Sequence, residues 1–324
     1  MQSIYDNPPR IKGSGEILKN SNDFVKSKLK SLAVSKVLKK DSTYWIGRSQ
    51  RMFECATSLS FQDGKLVRAN FCRDRMCPAC QKRRSLVVFH QVKNVCTAIA
   101  QDYPTYKYVL LTLTVPNVPI EDLPSKIGEM AKAWKRLTLR KEFKTSIKGW
   151  FRTLEVTHNA TRDDYHPHYH VLLCVTSNYF TKNYITHPRW LELWQQVMRD
   201  DSITQVDVRS IKPNPKKQGS DAISSAAAEV GKYATKPSDY LVKFPTKDRY
   251  FAVEKIVQEL AEGIAKRKLI AFGGLMLQYS KALELQDVDS DSIDLVEMDG
   301  SSPQAEAVAT HIFTWNIGFN NYVC

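Results

Sequence analysis

Along residues 106–115 apolar side chains alternate with polar or aromatic ones and β-branched residues are frequent, a period of two that predicts a central β-strand. The same reading predicts strands at 149–158 and 168–175, joined as a hairpin by the polar loop 159–164, and another at 205–211 closed by Pro213-Asn214-Pro215. Elsewhere the period lengthens to that of a helix. Helices are expected at 86–100, at 191–198, and at 124–143 with Trp134 and Leu137 inward and Lys132, Lys135, Arg136, Arg140 and Lys141 outward. An alanine- and serine-rich helix is predicted over 220–235 and stopped by Pro237; two more follow, at 253–267 and, around Gly273-Gly274, at 269–285. Residues 1–54 are polar and basic, with Pro8-Pro9 and Gly13-Ser14-Gly15 early, and read as a flexible arm leading into a lysine-rich helical stretch at 22–40.

Charge changes this picture. The 324 residues carry a formal net charge of +13, yet the segment from Glu284 onward holds eight acidic residues and no Lys or Arg. The rest of the chain is therefore strongly basic and suits a polyanion such as DNA. The acidic, serine-rich tail is expected to be disordered up to its apolar end at 312–323. No run approaches the roughly 18 apolar residues of a membrane span, and no signal-peptide pattern opens the chain, so a soluble cytoplasmic protein is expected. Seven cysteines, an odd number, argue against a disulfide framework.

Four of those cysteines, Cys55, Cys72, Cys77 and Cys80, are separated by 16, four and two residues and fit a tetrahedral structural zinc site. The basic run Lys82-Arg83-Arg84 follows and is expected to face DNA. In Tyr165-His166-Pro167-His168-Tyr169-His170 the second and third histidines alternate onto one strand face, a pair able to hold a divalent metal, to which Glu155 on the neighbouring strand can add an oxygen. Two nitrogens and a carboxylate leave positions open for DNA and water and suit Mg²⁺ or Mn²⁺. His166 stands apart, because Pro167 interrupts the alternation. Downstream, Glu229 and Tyr233 lie four residues apart on one helix face, with Lys232 and Lys236 near enough to lower the phenol pKa.

Three stretches in order, Leu111-Thr112-Leu113-Thr114-Val115-Pro116-Asn117, His166-Pro167-His168-Tyr169-His170-Val171-Leu172-Leu173 and Glu229-Val230-Gly231-Lys232-Tyr233-Ala234-Thr235-Lys236, carry a resemblance. The chain resembles the single-tyrosine rolling-circle plasmid replication initiators within the HUH endonucleases, over about residues 55–285. The resemblance implies an α+β fold whose central antiparallel sheet carries the metal ligands, flanked by helices and preceded by a small zinc-bound module. It implies four segments: a basic arm (1–54), a zinc module with a basic helix (55–100), a nicking-joining domain (101–285) and an acidic tail (286–324). Tyr233 would attack the scissile phosphate and form a 5′-phosphotyrosyl link, leaving a 3′-hydroxyl primer. Glu229 matches the acidic residue that activates water in the terminating cleavage, and Lys236 would assist Tyr233. Lys232 joins Lys82, Arg83 and Arg84 as an expected DNA contact. Thr112 and Thr114 would lie near the site, and Tyr240 is a rival nucleophile outside the motif. The implied partners are plasmid origin DNA and the host helicase and polymerase. A relaxase or transposase with the same chemistry and a noncatalytic zinc-containing repressor are the alternatives.

Overall fold

A computed structural model describes residues 21–38, 43–211, 222–231, 237–244, 249–296, 311–318 and 320–323. From the N-terminus come α1 (Ser21–Val37), α2 (Thr43–Glu54), β1 (Ser58–Gln62), β2 (Lys65–Ala69), α3 (Pro78–Asp102), β3 (Lys107–Thr114), α4 (Leu123–Leu139) and α5 (Lys141–Ser146). There follow β4 (Ile147–Asn159), β5 (Asp164–Val175), α6 (His187–Met198), β6 (Val206–Ser210), α7 (Ala222–Val230), α8 (Pro237–Tyr240), β7 (Leu241–Lys243) and β8 (Tyr250–Ala252). The last elements are α9 (Glu254–Gly263), β9 (Ile270–Gly274), α10 (Leu275–Ala282), β10 (His311–Asn316) and β11 (Asn321–Val323). The fold class is α+β with antiparallel sheets, as expected. Two compact units divide the chain, one made of Met1–Val87, Lys236–Ala261 and Ser290–Cys324, the other of Val88–Thr235 and Glu262–Asp289. They interleave in sequence. Among the described residues no helix is long and apolar enough to cross a membrane.

The second unit is built on a sheet of order β6-β3-β5-β4-β9, antiparallel throughout. Its middle strand β5 is buried along Val171, Leu172, Leu173, Cys174 and Val175, which is why those positions are uniformly apolar. On one face Tyr169 meets Trp134 of α4 and Trp194 of α6 edge-on, with ring centroids 6.3 and 6.5 Å apart. Arg152 lies buried over the Tyr169 ring at 4.1 Å. On the other face the cross-strand pair Tyr108 and Cys174 approaches α3, where the Tyr108 hydroxyl donates to the Cys96 carbonyl at 3.1 Å. Helix α7 also packs on β3 and β5, burying Ala226, Ala227 and Val230.

The edge strand β9 corrects the helix that the sequence predicts over 269–285. Its residues extend along β4, and the Asp289 carboxylate accepts from the Leu269 and Ile270 amides at 2.7 and 2.9 Å. Two glycines make this possible. A Cβ on Gly273 would lie 2.1 Å from the Trp150 ring, and Gly274 turns into α10 with φ +56°, in the region open mainly to glycine.

In the first unit a sheet of order β11-β10-β1-β2 recruits the C-terminal strands onto the N-terminal hairpin. Asp63 and Gly64, with φ of +48° and +76°, form the two-residue turn between β1 and β2, a turn type these residues favour. A second two-stranded sheet pairs β7 with β8. The expected disorder after residue 285 is also corrected over residues 286–296, while 297–310 lie outside the described residues. Ile293 and Leu295 are buried, and the carbonyls of Ile293, Leu295 and Val296 accept from arginines at 2.8, 2.7 and 2.6 Å.

Replacing Gly273 with Ala is expected to cost about 2–3 kcal/mol by overpacking against Trp150. Urea denaturation measures this, and an unchanged midpoint would mean that β9 does not lie against Trp150.

Candidate metal centre and cysteine cluster

Two-residue periodicity puts His168 and His170 on one face of β5. The β4 ladder sets Glu155 directly opposite His168, and the β3 ladder sets Thr112 opposite His170. Three ligand atoms converge as a result. Glu155 Oε2 lies 2.8 Å from His170 Nε2 and 3.3 Å from His168 Nε2, and the two imidazole nitrogens are 3.1 Å apart. In an octahedral site with metal–ligand distances of about 2.1 Å, adjacent ligands are separated by roughly 3.0 Å, close to these values. Glu155 and His168 are buried and His170 is partly exposed, so the site has one open side.

Hydrogen bonds behind the ligands aim them. The His168 Nδ1–H donates to the His166 carbonyl at 3.2 Å, which fixes the tautomer and leaves Nε2 with a bare lone pair. Thr112 Oγ1 lies 3.3 Å from His170 Nδ1 and can hold that ring in the same sense. Two lone pairs and a carboxylate in mutual contact repel one another unless a cation or proton sits among them. His166 stacks on His168 with centroids 5.1 Å apart, and burial followed by the His168 charge holds its own imidazole below the ordinary pKa. It supports the site through its backbone carbonyl and ring. Thr114 lies further out and donates to the Gln205 carbonyl at 2.8 Å.

Tyr233, Lys232 and Lys236 lie outside the described residues. Glu229 is exposed near the C-terminal end of α7. The rival Tyr240 is fully buried in the first unit, where its hydroxyl donates to Gln81 Oε1 at 3.1 Å, a structural placement unsuited to attack on DNA.

The expected basic run divides. Arg83 is buried, with its guanidinium given to the Leu295 and Val296 carbonyls, and burial pulls its pKa down to about 10. Arg84 is fully buried and donates to the Arg73 carbonyl at 2.7 Å. Neither faces DNA: both arginines hold backbone in place. Lys82 alone stays on the surface, paired with Asp23 at 2.6 Å.

Cys55, Cys72, Cys77 and Cys80 bring their sulfurs within 4.8 Å of one another. The Cys55–Cys80, Cys72–Cys80 and Cys55–Cys77 separations are each 3.6 Å. Four sulfurs around zinc at about 2.3 Å would be roughly 3.8 Å apart, so the donor set fits a tetrahedral ion. Burial opposes ionisation of Cys77, but hydrogen bonds from Cys55, Cys72, Cys80 and Ser31 outweigh it and hold the thiol well below its usual range. The cluster has two neighbours that no local residue pattern reveals. Ser31 Oγ lies 3.2 Å from Cys77 Sγ, and the fully buried Lys28 donates to the Phe53 and Cys55 carbonyls at 2.6 and 2.7 Å. Four thiolates on a divalent ion carry a net negative charge, and the Lys28 ammonium partly offsets it. Burial lowers the Lys28 pKa to about 8, against the opposing pull of the cysteines.

Comparison with known proteins adds independent evidence. A family model described as "Replication protein" matches residues 63–323. A "Protein rep" from Bacillus amyloliquefaciens is 34% identical over 296 residues, covering 86% of each chain. One from Streptococcus pneumoniae serotype 2 is 31% identical over 281 residues, covering 84% of this chain and 83% of the relative. One from a Bacillus species is 34% identical and covers 86% of this chain and 94% of its own. No solved structure matches.

Thr112→Val is expected to weaken Mn²⁺ binding by roughly 10- to 100-fold, as loss of a ligand-orienting hydrogen bond does elsewhere, while shifting stability by about 1 kcal/mol or less. Titration calorimetry measures the first and urea denaturation the second. Unaltered Mn²⁺ affinity would show that the hydroxyl does not orient His170.

Proposed function

The chain belongs to the replication protein family, and on that premise we propose that it initiates rolling-circle replication of a plasmid by nicking and rejoining one DNA strand at the origin. The observation that carries this reading is the convergence of Glu155, His168 and His170 within 3.3 Å at an open-sided position on the sheet. Phosphodiester transfer needs a positioned nucleophile and a way to absorb charge on the phosphoryl oxygens. A bound Mg²⁺ or Mn²⁺ would supply the second as a Lewis acid.

The chain's own residues do the rest. Helix α7 packs on β3 and β5, the strands that carry Thr112 and the two histidines, and the sequence beyond it contains Tyr233. The phenol oxygen of Tyr233 attacks the phosphorus, the new O–P bond forms as the bond to the 3′ oxygen breaks, and the departing 3′ oxygen takes a proton. The products are a 5′-phosphotyrosyl link and a 3′-hydroxyl for the host polymerase, behind the host helicase. A tyrosine near pKa 10 is mostly protonated at neutral pH, and Lys232 and Lys236, one residue before and three after Tyr233 in the sequence, would supply the positive charge that favours its phenolate. Glu229, exposed near the end of α7 and four residues before Tyr233 in the sequence, takes a proton from water in the terminating cleavage.

The cysteine cluster, in this reading, holds a structural Zn²⁺. It ties α1, the chain after α2 and the start of α3 together where the described strands of the first unit are short.

Two measurements check these assignments. Single-stranded oligonucleotides tiled across the origin are expected to be cut with Mg²⁺ or Mn²⁺, leaving a covalent adduct visible by mass; Tyr233→Phe should form none. Binding without cutting by the wild type would instead favour a noncatalytic repressor. Elemental analysis should find one zinc per chain, lost in Cys80→Ala together with several kcal/mol of stability, and a zinc-free wild type of full stability would rule out the structural ion.

A further inference from the structure

The first unit carries a lysine cluster that the proposed nicking chemistry does not use. Lys26 and Lys30 stand four residues apart on α1 and so share a helix face, where like charges repel. The β7–β8 hairpin packs on α1, pairs Lys243 with Tyr250 across its strands, and places the Tyr250 ring 5.2 Å from Lys30 Nζ. Lys82 borders the same group and pairs with Asp23 at 2.6 Å. Burial and then the charges of Lys82, Lys26 and Lys243 pull the Lys30 ammonium below its ordinary pKa. Asp23 and the Tyr250 ring temper this repulsion, and an external anion would relieve it further.

We propose that Lys26, Lys30, Lys82 and Lys243 form a surface that grips the sugar–phosphate backbone of duplex DNA. The inference rests on the reading that DNA is the partner, and it assigns this face to the duplex instead of the single strand. Tyr250, the ring on the lysine face, is already covered by Lys30, whereas the exposed Val242 and Phe251 form a cross-strand pair on the opposite face of the hairpin. Such a face offers charge for phosphates without an open ring for stacking splayed bases. It also replaces Arg83 and Arg84, which are committed to the interior.

The test is the salt dependence of binding of the full zinc-loaded chain to a short duplex of unrelated sequence. Each lysine that neutralises a phosphate contributes about 0.9 to the slope of log affinity against log salt. Lys26→Gln/Lys30→Gln/Lys243→Gln should flatten the slope by roughly three, and Lys243→Gln alone by about one, which keeps the test open if the triple variant folds poorly. A control of equal charge loss on exposed positions of the second unit, Lys132→Gln/Lys135→Gln/Lys141→Gln, should leave it nearly unchanged. An unaltered slope in the first two variants, or equal flattening in the control, overturns the proposal. A larger loss for a single strand than for the duplex would assign the face to single-stranded DNA and also overturn it. Oligonucleotide cutting, measured in parallel, is expected to persist in the triple variant; absence of cutting in the wild type would sink the nicking reading while leaving the duplex slopes interpretable.

Discussion

The hydrogen-bond register of β5 between β4 and β3 is the constraint on which the candidate site depends. A slip of one residue would turn His168 and His170 to the face filled by Trp134 and Trp194 and bring Tyr169 to the face of Glu155. The register is held from both sides. Beyond the histidines the strand is buried through Val175, and at its start Tyr165 is buried and exchanges two backbone hydrogen bonds of 2.8 Å with Val118. Packing far from Glu155, His168 and His170 thus sets which side chains face one another at the site. Buried Glu155 and the Thr112 hydroxyl complete an arrangement that is electrostatically unfavourable without a cation, a trade of stability for function common at active sites.

The first unit solves a different problem. Its sheets are small, and it is assembled from three separated stretches of chain. Buried polar side chains do much of the joining: Lys28 ties α1 to the chain around Cys55, while Arg73, Arg83 and Arg84 satisfy carbonyls of the C-terminal segment. Removing one such partner leaves a buried group unsatisfied at a cost of about 1–3 kcal/mol. The acidic segment thus accepts from arginines at its backbone while the Asp289 carboxylate holds the Leu269 and Ile270 amides, two roles that net charge alone cannot reveal.

Much of the second unit was legible in the sequence because its signals are local. Strands β3, β4, β5 and β6 and helix α6 follow from periodicity, and the convergence of Glu155, His168 and His170 follows from alternation on adjacent strands. What escaped had nonlocal causes. Strand β9 looked helical because Leu269, Ile270 and Phe272 sit beside a true helix, and its extended form depends on Asp289 and on the Trp150 ring over Gly273. The β1–β2 hairpin had a readable sign in Asp63-Gly64, whereas its partner β10 enters from more than 240 residues away. The run Lys82-Arg83-Arg84 misled because three adjacent cations on a helix cannot share a face; helical geometry leaves one outside and turns two inward.

Anomalous diffraction from crystals soaked in Mn²⁺ tests the central claim most directly. The account predicts one strong peak at about 2.1–2.2 Å from Glu155 Oε2, His168 Nε2 and His170 Nε2 together. A peak that contacts only one of the three, or manganese bound elsewhere with this trio held by hydrogen bonds alone, would contradict it.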